Sequence, residues 1–137
     1  MARAWQLAGW SLLAVFTVGM IHTVVHAQQE AEEAKPKHAI KEVMQGNHLA
    51  PEGGKSLRDR VLAGDASPKE KQQLLDLYIS LAENKPPRGE LEAFQKKTRA
   101  VILAAAKVVV GREGADKELA RATNCAACHR DHKPPTQ

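Results

Sequence analysis

Aromatic side chains and cysteines are both scarce in this chain. Of 137 residues, two are Trp, one is Tyr, two are Phe and two are Cys. With no cysteine beyond that pair, a zinc site would have to be completed by distant histidines such as His38 or His48. No stretch alternates convincingly as a strand, so the βαβ setting of a thioredoxin-type dithiol is missing. Nucleic-acid binding has no footing either, because there is no basic stripe interleaved with aromatics. Nor is there a Ser/His/Asp set, a recognisable motif of paired carboxylates or a glycine-rich phosphate loop, so no enzymatic turnover is expected. Internal repeats are absent, and low-complexity character is confined to an Ala/Glu-rich stretch near the N-terminus.

What the chain does have is Asn124-Cys125-Ala126-Ala127-Cys128-His129, a Cys-x-x-Cys-His near the C-terminus. A lone Cys-x-x-Cys also serves as a dithiol redox pair, a structural disulfide or half a zinc site. The adjoining histidine separates this motif from those uses. Thiols at this spacing can each add to one vinyl group of a haem, and the histidine that follows is placed to bind the iron from one side. Cys125 and Cys128 are thus the expected thioether anchors of one covalent haem c, and His129 the proximal iron ligand.

An N-terminal leader points to the matching compartment. Arg3 supplies a short basic region, an apolar run follows from about Leu7 to Val25, and Val25-His26-Ala27 offers small residues before the polar Gln28-Gln29-Glu30. Residues 1–27 read as a secretory signal. The alternative is a retained membrane anchor, since the run approaches the ~20 residues a bilayer demands. Either way the domain is expected outside the cytoplasm, in the periplasm or an equivalent exported space. Removing Arg3 lowers the net charge from +4 to +3, a balance that says little about partners. It also removes Trp5, Trp10 and Phe16, leaving Tyr78 and Phe94 as the aromatics of a mature chain whose own core would be thin.

Residues 28–36, QQEAEEAKP, read as a flexible tether, and the domain proper as 37–137. A first helix is expected from about Lys37 to Asn47, with Ile40, Val43 and Met44 on its inner face. Glycines and Pro51 interrupt the chain from Gly46 to Lys55, and a short helix follows from Ser56 to Ala63. Ser67, Pro68 and Glu70 form a cap, a first-turn proline and a capping box. They open a helix to about Asn84 with Leu74, Leu75, Tyr78 and Leu81 as its stripe. The connector Lys85-Pro86-Pro87-Arg88-Gly89 is one that no helix can cross. A third long helix spans about Glu90 to Val110, with Leu91, Phe94, Val101, Ile102, Ala105 and Val108 or Val109 inward. A last helix begins near Asp116 and carries the Cys-x-x-Cys-His motif. The fold expected is all-α, a four-helix bundle-like domain with a short, broken first helix and the haem motif in the last.

An all-helical exported domain with this motif in its final helix resembles the class II c-type cytochromes, the cytochrome c prime group, over about residues 37–133. The resemblance implies a monohaem electron carrier and a basic residue close to the haem at Lys133, four after His129, and leaves open a monomer or the homodimer common in that group. Members of the class use a long unbroken first helix over the distal side of the haem, whereas this chain breaks at Gly46 and again around Pro51 to Gly54. Met44, on the first helix, is one candidate sixth ligand, and His48, one turn further along, is the alternative. An axial methionine gives the higher potential. With neither bound, the iron is five-coordinate and open to a gas such as NO or CO. His38, near the tether, is a less favoured candidate. Arg130, His132 and Lys133 complement the negative end of the last helix and offer an edge to an acidic redox partner.

Overall fold

The computed structural model describes residues 35–135, so the expected leader and most of the expected tether lie outside the described residues. Six helices follow in order: α1 (Ile40–His48), α2 (Leu57–Leu62), α3 (Pro68–Glu83), α4 (Leu91–Val109), α5 (Ala115–Ala122) and α6 (Cys125–His132). No strand occurs among the described residues. The fold is all-α and bundle-like. Among those residues no helix is long and apolar enough to cross a membrane.

α3 starts as its sequence dictates. Ser67 Oγ accepts from the Glu70 N–H at 3.3 Å, and Glu70 Oε2 accepts in return from the Ser67 N–H at 2.8 Å. The helix stops at Asn84, just before the Pro86-Pro87 pair. Its buried stripe is Leu74, Leu77, Tyr78 and Leu81, with Leu77 where Leu75 was expected and Leu75 only half-buried. α4 packs against it, and the buried face of α4 runs through Phe94, Thr98, Val101, Ala105 and Val108, spaced alternately by three and four residues. Leu91, expected inside, is exposed, and Ile102 is half-buried. This α3–α4 pair is the frame of the domain. Each fully buried Leu or Phe side chain contributes ~1.5–3 kcal/mol to holding it.

α1 and α2 pack on α3, and α5 packs on α4 and α2. The first helix begins later than expected and continues through Gly46 to His48. Gly46 does not break it. A Cβ there would stand 3.0 Å from Leu77 Cδ1, so glycine lets α1 approach α3 closely. The ends of α1 and α3 are also tied together: the His38 N–H donates to Ser80 Oγ at 3.1 Å, and Asn84 Nδ2 donates to the His38 carbonyl at 2.9 Å. Val43 and Asn47 are the buried residues of α1, while Met44 is half-buried and packs on the edge of the core.

Candidate functional site

The expected last helix is two helices. Thr123 ends α5, its hydroxyl donating to the Leu119 carbonyl at 2.7 Å, and Asn124 caps α6, its Oδ1 accepting from the Ala127 N–H at 3.0 Å. Thr and Asn both offer the backbone bonds that compete with a continuing helix, which is why the chain turns here. Arg58 Nε, from α2, pins the turn by donating to Thr123 Oγ1 at 2.8 Å. Cys125 is therefore the first residue of α6, with Cys128 one turn on and His129 beside it.

α6 is held mostly by polar contacts. Lys97 Nζ, from α4, donates to the Ala127 carbonyl at 2.9 Å and to Asp131 Oδ2 at 2.6 Å. At its C-terminal end, the Arg88 guanidinium donates to the carbonyls of Arg130 and Asp131. Gly89 lies against the same end with φ +78°, and a Cβ there would meet the Asp131 carbonyl oxygen at 2.7 Å and His132 Nδ1 at 2.9 Å. His132 is only 4% exposed. Its Nδ1–H donates to the Arg88 carbonyl at 3.2 Å, and its ring meets Phe94 edge-on at 5.3 Å. The expected cationic edge is corrected accordingly: Arg130 and Lys133 are exposed, but His132 is an interior residue that packs the end of α6 onto α4.

No Cα atom of α6 comes within 8 Å of one in α1. A cavity of about 880 Å³ is lined by residues of both. That is near the upper end of the range for small-molecule and cofactor sites. Cys125, Cys128, His129 and Lys133 line it from the α6 side, and Met44 and His48 from α1. Thus all six residues singled out from the sequence share one cavity, while His38 is not part of its lining. Ile40, Leu81, Phe94 and Val101 supply apolar wall. Its charged residues are Lys41, Lys97, Arg121 and Lys133, with no Asp or Glu among them. The chain as a whole carries 20 basic and 16 acidic residues, so this one-sided charge is local.

Both cysteines are free, Cys125 exposed and Cys128 half-buried. Burial pushes the Cys128 thiol above its ordinary pKa, against the opposing charge of Lys97. Among the described residues no three His, Cys, Asp or Glu side chains gather to hold a bare metal ion. Two thiols one turn apart and an imidazole on the same wall could instead hold a large, flat prosthetic group by covalent bonds and one axial bond.

On the α1 side, His48 Nε2 is 3.5 Å from the Tyr78 hydroxyl, with the rings 5.9 Å apart and tilted by 51°. Burial, followed by the charge of Arg58, lowers the His48 pKa, so the ring is neutral at neutral pH. Burial also raises the Tyr78 pKa strongly. Both groups are uncharged, and the imidazole tautomer sets which of them donates. Sequence reasoning treated Tyr78 and Phe94 as core residues only, and it passed over Lys97 and Arg88. Lys97 could have been flagged, since it falls on the apolar face between Phe94 and Val101; the role of Arg88 had no local signal. Comparison of the chain with protein-family models, with curated proteins and with solved structures gave no match.

Proposed function

We propose that this chain is a monohaem c-type cytochrome, similar to the class II cytochromes c, carrying one electron at a time outside the cytoplasm to a partner protein. The observation that carries the reading is the placement of Cys125, Cys128 and His129 on one wall of the cavity, with Met44 and His48 on α1 lining it too. When bound there, a haem supplies a one-electron iron couple. Cys125 and Cys128 would hold it by thioethers and His129 would bind the iron from α6. Met44 or His48 would serve from α1. Lys41, Arg121 and Lys133 line the same cavity and would supply positive charge to its two carboxylates, while Ile40, Leu81, Phe94 and Val101 would keep water from it. The domain is short of large apolar side chains, and the cavity is where such a body would complete it.

The test is a protein mass and a visible spectrum of chain expressed with haem-maturation machinery, taken oxidised, reduced, and reduced under carbon monoxide. A mass increment of one haem and sharp low-spin bands that the gas barely changes are expected. A broad Soret band that shifts strongly under the gas would replace the carrier with a five-coordinate gas-binding protein. A mass without the increment would overturn both.

A further inference from the structure

We infer that Tyr78 selects the sixth iron ligand, its hydroxyl holding His48 back so that Met44 binds the metal. This rests on the cytochrome reading and takes it one step further, to a positioning residue on α3 that no local motif marks. Tyr78 is 1% exposed, and the His48 Nε2 at 3.5 Å is the hydrogen-bond partner of its hydroxyl. A buried hydroxyl left without a partner is costly, more so than an ordinary hydrogen bond is favourable. His48 could bring Nε2 to an iron only by stranding that hydroxyl. Met44 carries no such obligation. It sits one turn earlier on α1, half-buried, on the lining of the same cavity, with a flexible thioether that can adjust its reach.

The contact is built into the packing of the two helices. Gly46, midway between Met44 and His48, brings α1 down on Leu77, the residue preceding Tyr78. The position of His48 over the phenol is thereby set by backbone approach as well as by side-chain choice.

The experiment compares the haem-loaded wild-type chain with Tyr78→Phe and with Tyr78→Phe combined with His48→Ala. Phe keeps the buried ring and removes only the hydroxyl. The readouts are the ferric absorption and paramagnetic-resonance spectra, which distinguish thioether from imidazole ligation, and the reduction potential. Wild type is expected to show the thioether signature. Tyr78→Phe is expected to lose it for a bis-imidazole signature and a lower potential. Adding His48→Ala should restore the thioether signature and raise the potential again, a rescue that general loosening of the core would not give. Tyr78→Phe with the wild-type spectrum and potential would overturn the inference, and so would a wild-type iron already ligated by imidazole or left open. A wild-type chain without covalent haem, seen by mass before any variant is compared, would overturn the cytochrome reading itself and this inference with it.

Discussion

Burial of the His48 imidazole, with Arg58 nearby, holds its pKa below the ordinary histidine value. In the unfolded chain the ring returns to about 6.5. Between that value and the lower folded one, the unfolded state binds more protons than the folded state, so stability falls as pH drops through the window. His48→Gln removes the titrating group, and in the haem-free chain it should flatten the loss of thermal stability as pH falls from about 7 through the ordinary histidine value of about 6.5. Circular-dichroism melts across that range check it, and a slope equal to wild type would refute the assignment. Glu70 and Asp131 do not blur the window. Hydrogen bonds from Ser67 and from Lys97 hold their carboxyls below the usual carboxylate values, so their contributions are lost in more acidic solution.

A helix of eight residues has little stability of its own, and α6 depends on what grips it. Lys97 is the central grip, bonding a carbonyl and a carboxylate of α6 at once. Lys97→Met keeps the aliphatic stem but loses both bonds. It should lower the opening free energy of α6 by roughly 1–2 kcal/mol, at the low end for charged hydrogen bonds because the ammonium is partly solvated. Hydrogen exchange would show faster α6 amides while those of α3 and α4 keep their protection. The connector between α3 and α4 makes the second grip. Gly89→Ala combines a left-handed backbone with contacts too close for a Cβ, so it should cost about 2–3 kcal/mol. Gly111→Ala, at φ +69° with open space around it, should cost about 1 kcal/mol. Denaturant unfolding of the two variants side by side measures the difference.

The domain between residues 35 and 135 buries two full aromatic rings, Tyr78 and Phe94, and leaves a cavity of about 880 Å³ beside them. A chain so built gains stability from whatever fills that space. On the proposed cytochrome reading, replacing both Cys125 and Cys128 by Ser removes the thioether anchors and should lower Tm by on the order of 10 °C, a loss of a few kcal/mol at this size. An equal Tm for the double variant and the haem-loaded chain would count against the cavity as the haem site. The proposed export has an independent signature. Both tryptophans, Trp5 and Trp10, precede the expected cleavage after Ala27. The purified exported protein should therefore lack tryptophan fluorescence, and its presence would indicate a retained leader.

The helical class, the start of α3 at Ser67-Pro68 and its end before Pro86 were legible from the residues themselves, because caps, prolines and hydrophobic period act over a few residues. So was the placement of Cys125, Cys128 and His129 within one and a half turns of a helix, which their spacing dictates once the segment is helical. The split at Thr123-Asn124 carried a local signal, two backbone-bonding side chains in a row, but the helical pattern on either side masked it. Leu77 rather than Leu75 was legible too, since Leu74, Leu77, Tyr78 and Leu81 follow the i, i+3, i+4, i+7 spacing of one helix face. Other features had no local signal at all. His132 is buried because Arg88 and Gly89, more than forty positions earlier, close over the end of α6. Periodicity says that a face is apolar, but only the approach of other helices decides whether it meets core, cavity or solvent. By itself the sequence determined the helices and the motif. The tertiary structure decided that Met44, His48, Tyr78 and the Cys-x-x-Cys-His line one cavity, since that depends on contacts between segments that local forces cannot bring together.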